Sequence, residues 1–338
     1  MRRDLAFVLL ATIVTVPAAG CGGGKGSATT SIGSGAPPRV DVRGDRHFRM
    51  GDNPTGVVAA AGMIVAAGID GTVTRVSPAT DRIVGRTLTL GDETSDVASE
   101  EDAAWVLAKR DNPDTPKVDW EVDRIDPDTG RARTVARVKG YSPHELAVDH
   151  GVIWVTEESR HAVERFDARS GRPVGAPIRT GPSPWGLGVG GGSAWVGDAH
   201  AHTLTRVDTR SGRIVGRPIR LREEVFEVAV DKGSTWVTQD RSLFRVRSSG
   251  RVTRTRILGI DNTSALGVAA GALLIGSDTR PSRVYRVNPR TGRPLGTHPR
   301  PLVFANAIHA VTYLDGSIWA ATNNPVAFDH DEIVRTSR

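Results

Sequence analysis

The chain has 338 residues, a formal net charge of +6 and a single cysteine. That length is enough to bury a sizeable core, and one cysteine excludes an internal disulfide framework. The arginines are scattered instead of forming runs, which fits a solvated surface and excludes a nucleic-acid-binding face as the organising feature.

The head of the chain reads as a targeting segment. Met1-Arg2-Arg3 is a basic start, residues 5–16 are an apolar run too short to span a bilayer comfortably, and Ala18-Ala19-Gly20-Cys21 follows. Small residues ahead of a cysteine resemble a bacterial lipobox, with Ala18 where that motif usually carries Leu. The resemblance implies a signal peptide over 1–20, cleavage before Cys21 and lipidation of Cys21. Acyl chains would then hold the protein to the extracytoplasmic face of the cell membrane. Residues 21–38 are Gly, Ser, Thr and Pro with little else, the composition of a flexible tether.

The rest, 39–338, repeats itself. The phrase PWGLGVGGGSAWVGDAHAHTLTRVD at 184–208 is echoed 41 residues upstream by PHELAVDHGVIWVTEESRHAVERFD at 143–167. With the central Trp as register mark, its equivalents are Ile64, Trp105, Trp154, Trp195, Trp236, Leu274 and Trp319, in steps of 41, 49, 41, 41, 38 and 45 residues. A period of about 40 residues with three or four short strands per unit predicts a β-propeller, here with seven blades. Each unit opens ten residues before its mark, at Pro54, Ser95, His144, Trp185, Phe226, Ser264 and His309, and runs into a Gly/Ala/Val-rich first strand. Asp-Gly turns link first to second strands. Turns such as Asp167-Ala-Arg-Ser-Gly and Asp208-Thr-Arg-Ser-Gly close the third strands, and Arg- and Pro-rich fourth strands follow. Trp120, inside the long insertion of the second unit, is expected to anchor a surface loop. The last unit lacks a fourth strand, whereas residues 40–49 form an extra strand-like piece at the front. The expected solution is a ring closed by pairing that piece with the last blade.

Topology then sorts the candidates for chemistry. Loops leading into first strands share one rim with loops joining second to third strands. That rim collects six of the nine histidines: His144, His161, His200, His202, His309 and His330. With them come Glu157, Glu158, Asp198, Glu227, Asp240, Asn323, Asn324, Asp329 and Asp331, and the aromatic pair Trp185 and Phe226, which would either floor a ligand site or plug the channel mouth.

The repeat wording of 203–220, TLTRVDTRSGRIVGRPIR, resembles YVTN-type propellers. His144, Glu158 and His161, with PHELAV and WVTE around them, resemble the virginiamycin B (streptogramin) lyases, seven-bladed propellers carrying a His, a Glu and a His in similar order. That resemblance implies opening of a cyclic ester by elimination with bound Mg²⁺. His161 would be the general base, with His144 and Glu158 holding the metal or orienting substrate. The primary expectation is a binding module whose His-rich rim docks an envelope protein, a glycan or a small ligand, with Trp185, His200, His202, Phe226, His309 and His330 as contact residues and the protein a monomer. The lyase is the alternative, with no other cofactor expected.

Overall fold

The computed structural model describes residues 46–100, 102–111, 118–231, 234–239, 242–247, 249–256, 263–269, 271–277, 281–289, 291–295, 301–304, 306–323 and 331–337. The leader, Cys21, the tether, Asp240, Asn324, Asp329 and His330 lie outside them.

The second strands, which carry the register marks, explain the architecture. Met63–Gly68, Ser193–Asp198, Ser234–Gln239 and Ala272–Ser277 are buried at every position, so both faces of each sheet are covered. A sheet apolar on both faces needs a neighbour on each side, and a ring of sheets gives every blade two. The structure contains seven antiparallel sheets, each running from first strand to fourth in order. The first strands contact one another in succession, and the seventh, Ala307–Leu314, meets the first, Pro54–Ala60. The fold is thus an all-β, seven-bladed propeller. Trp154, Trp236 and Trp319 are among the largest fully buried side chains, as the repeat predicts.

The ring closes as the sequence predicts. Arg46–Arg49 pairs antiparallel with Glu332–Ser337 and completes the seventh blade as its fourth strand. Phe48 is buried there and stacks on Trp319 with centroids 5.8 Å apart.

A second regularity follows from register. Trp105, Trp154, Trp195, Trp236 and Trp319 each sit directly across from an arginine of the third strand: Arg124, Arg165, Arg206, Arg245 and Arg335. Every one of these guanidinium groups lies 5.2–5.9 Å from its indole centroid. The arginines that the sequence shows as scattered charge therefore cover the blade cores with their stems and guanidinium faces.

Two expectations are corrected. Trp120 is no loop anchor: it is 5% exposed and belongs to the core cluster of blade 2, because the insertion lengthens a hairpin, Ala103–Asp111 against Val118–Ile125. The outer strands of blades 3 and 4 shrink to Ile178–Arg179 and Ile219–Arg220, preceded by single bridges at Pro173 and Ile214. Gly175 and Gly216 between these contacts have φ of 74° and 75°, and the prolines nearby supply no N–H, so the ladder breaks.

Candidate functional site: a rim of imidazole, aromatic and carboxylate groups

First strands of six blades shift register near their start, in blades 1, 2, 3, 4, 6 and 7. In blade 3 both His144 and Glu145 stand opposite Thr156; in blade 4, Trp185 and Gly186 stand opposite Gly197. Such bulges re-aim side chains, and here they separate two layers. The first residue of the pair stays on the rim and the second turns into the ring.

On the rim, three rings form a chain across blades 3, 4 and 5. His144 and Trp185 stack with centroids 3.8 Å apart and planes 14° from parallel. Phe226 meets Trp185 edge-on at 5.2 Å and 84° and remains 37% exposed. Gly186 permits this approach, since a Cβ there would lie 2.6 Å from the Phe226 carbonyl oxygen. Thr156 fixes the backbone by donating its hydroxyl to the Trp185 carbonyl at 2.9 Å and accepting the Glu145 amide at 2.9 Å.

Glu158 completes the group. Its Oε2 lies 3.0 Å from His144 Nε2, and its Oε1 accepts the Ser183 hydroxyl at 2.6 Å. Burial alone would raise the Glu158 pKa, but hydrogen bonds from Ser183 and His144, the imidazole charge and the Ser142 hydroxyl hold it below the ordinary value. An ionised carboxylate only accepts, so Nε2 carries the His144 proton and Nδ1 is the nitrogen left to accept one.

The neighbouring residues separate. Glu157 is fully buried and structural: it accepts the amides of Ser142 and Arg160 and the hydroxyl of Ser159, and so shapes the turn at Glu158–Arg160. His161 caps that turn at φ 57° and directs Nδ1 to the Pro182 carbonyl at 2.5 Å, not to the His144–Glu158 pair. Among the described residues no three His, Cys, Asp or Glu side chains are grouped to hold a metal ion. His144 and Glu158 are paired with each other, and His161 is turned away from them.

Elsewhere on the rim, His200 is exposed and His202, at φ 54°, borders a cleft beside Phe226. His309 belongs to a separate cluster, 2.8 Å from Asn323, which reaches Asn53 of blade 1. Asp198 and Asp331 act on backbone: Asp198 accepts the amides of Ser183 and Ala201, and Asp331 accepts that of Asn53.

Below the rim lies a further layer, of which the sequence pointed only to Glu227, there expected on the rim, and not to Asp96 or Glu145. Asp96, Glu145 and Glu227 each stand nine residues before their Trp mark. Each carboxylate takes an amide of the following blade: Leu146, Leu187 and Leu266 respectively. Their charges repel one another, although blades 2, 3 and 5 are not all neighbours, so the three groups meet across the axis. All three are partly exposed yet heavily enclosed by protein. Burial raises Asp96 to about 7; burial and then Asp96 raise Glu227 to about 8; burial, Glu227 and Asp96 push Glu145 well up. The nine-residue offset was readable in the sequence. The convergence across the axis was not.

No family model and no curated protein matches this sequence. Solved structures do. Virginiamycin B lyase from Staphylococcus aureus aligns at 16% identity and TM-score 0.63, over 86% of this chain and 98% of that one. A catalytically inactive His-to-Ala variant of the same enzyme with quinupristin aligns at 15% identity and TM-score 0.62, over 86% and 98%. The computationally designed protein Ika8 aligns at 12% identity and TM-score 0.58, over 84% and 96%. At these identities the likeness is one of fold.

Proposed function

We propose that this protein is a lipid-anchored binding module of the cell envelope, whose rim engages a ligand over blades 3 to 5. The His144–Trp185–Phe226 chain of rings carries this reading. These rings stand off the blade cores, where aromatic residues would only pack. They set aromatic side chains, Phe226 exposed among them, beside one ionised carboxylate, a composition that small-ligand sites use. The rim is tested by ligand-observed NMR screening of a fragment set against the full chain and its Trp185→Ala and Phe226→Ala variants. Ligands that bind the parent and lose at least about tenfold in affinity in both variants support the reading; an identical hit list for all three proteins sinks it. The anchor is tested separately. Incorporation of labelled palmitate that disappears in Cys21→Ser supports it, and an unlabelled parent refutes it.

A second reading, lyase chemistry on a cyclic ester, is favoured by the His144–Glu158 contact within a fold shared with virginiamycin B lyase. In that case the exposed His161 would act as base and the His144–Glu158 pair would orient the substrate. Incubation with quinupristin, with and without Mg²⁺, decides it. Ring opening by the parent and not by His161→Ala supports the lyase, and an unchanged substrate removes it.

A further inference from the structure

The outer strands of blades 3 and 4 carry one phrase twice: residues 172–179 read RPVGAPIR and residues 213–220 read RIVGRPIR. Their backbones agree. Pro173 and Ile214 bridge to Phe166 and Val207, and Val174 and Val215 donate their amides at 2.8 Å to the carbonyls of Arg165 and Arg206. Blade 6 places Pro294 at the same bridge. A blade therefore accepts proline at the position of Ile214 and alanine at that of Arg217. Where blade 4 departs from its neighbour, the sheet does not require it.

Both departures fall on the surface. Ile214 is 44% and Val215 40% exposed, and Arg210, Arg213, Arg217, Arg220 and Arg222 are exposed around them. No Asp or Glu falls between 209 and 222, and the acids that follow, Glu223 and Glu224, line the cleft beside Phe226. Among the described residues none of Arg213, Arg217, Arg220 or Arg222 is in an ion pair, whereas Arg160 and Arg335 are. A Cβ on Gly175 or on Gly212 would meet the same Arg165 guanidinium, so the edge of blade 3, with Arg172 and Arg179 exposed, adjoins that of blade 4. The result is a basic strip with two adjacent aliphatic side chains in it.

The combination selects the occupant. A phosphate polymer would pair with the arginines and leave Ile214 and Val215 in water. An anionic bilayer takes both: headgroup phosphates accept from the guanidinium groups, and the aliphatic side chains enter the boundary beneath them. We infer that the outer edge of blade 4 docks the propeller on an anionic lipid surface. The ring axis then lies along the bilayer, which leaves the rim of rings open to ligand. The inference takes the presence of a membrane from the envelope reading and adds the surface that meets it.

The test uses the full chain with Cys21→Ser, so that one introduced cysteine carries a nitrobenzoxadiazole dye. Pro218→Cys puts the dye in the strip and Asp128→Cys in a turn of blade 2, both exposed positions. With vesicles of phosphatidylcholine containing about one third phosphatidylglycerol, emission at 218 shifts to the blue and emission at 128 does not. Salt weakens the shift, and phosphatidylcholine alone gives none. Ile214→Pro/Arg217→Ala writes the blade 3 phrase into blade 4, and it weakens partition about tenfold or more with unchanged melting. Arg213→Gln/Arg220→Gln does the same by charge alone. No shift at 218, equal shifts at both positions, or parental partition in both variants would each overturn the inference. Retention on polyphosphate resin without a shift on vesicles would assign the strip to a polymer and overturn it too. Palmitate on Cys21 with no docking at 218 removes the docking edge and keeps the anchor. Docking with Cys21 unlabelled upholds the edge and removes the anchor.

Discussion

Trp185 of blade 4 lies flat against the imidazole of His144 from blade 3, 3.8 Å from centroid to centroid, while Glu158 holds the opposite edge of that imidazole at 3.0 Å. Neighbouring blades thus share one polar and aromatic unit, and the pairing has a measurable acid-side signature. Glu158 sits below its ordinary value of 4.5. A depressed carboxylate contributes stability that is present above the unfolded value and is lost as pH falls through the folded one. Ser183→Ala is expected to raise the Glu158 pKa by carboxyl ¹³C NMR. Glu158→Gln should remove the corresponding loss of stability at acid pH, an effect of about 1 kcal/mol or less because the group retains contact with solvent.

The axial acids predict the opposite slope. Asp96, raised to about 7, and Glu227, raised to about 8, prefer to be neutral in the folded protein. Groups raised in this way contribute stability below their unfolded values, and it is lost as pH rises through the folded ones. Glu227→Gln keeps an acceptor for Leu266 and removes the charge. Urea denaturation at pH 5 and pH 9 should show the parent weakening between the two and the variant changing less, with a gain on the order of 2 kcal/mol at the upper pH. Parallel pH profiles for parent and variant would mean that Glu227 is solvated and unshifted.

Closure of the ring rests on a four-residue strand whose one buried side chain is Phe48. Phe48→Ala removes its contact with Trp319 and is expected to destabilise the protein by about 3 kcal/mol in urea. Hydrogen exchange should show the amides of Arg46–Arg49 and Glu332–Ser337 losing protection before those of blades 3 and 4. Uniform loss across all blades would mean that the seam is no weaker than the rest.

Two glycines with the same backbone need separate a strained φ from a steric collision. Gly171 and Gly216 have φ of 69° and 75°. A Cβ on Gly171 would lie 1.8 Å from the Val135 carbonyl oxygen of blade 2, whereas a Cβ on Gly216 meets nothing within 4 Å. Gly216→Ala should cost about 1 kcal/mol for conformation alone. Gly171→Ala should cost at least about 2 kcal/mol more, because backbone of the adjoining blade must move. Chemical denaturation of the pair measures the difference.

The sequence by itself determined the number of blades, the burial of the tryptophans that mark the second strands and the pairing of the first strand with the last. Those features follow from a period, an alternation and turn residues, all of which act over short stretches of chain. It also placed His144, Glu158, Trp185 and Phe226 on one rim, since strand direction sorts loops to faces. Distances across blades were beyond it. Only the fold decided that His161 turns to Pro182 while His144 joins Glu158, because a three-residue turn at Glu158–Arg160 sets where each side chain points. Only the fold brought Asp96, Glu145 and Glu227 together from blades 2, 3 and 5. Such facts depend on bulge geometry and on the spacing of sheets around the axis, which no single repeat encodes.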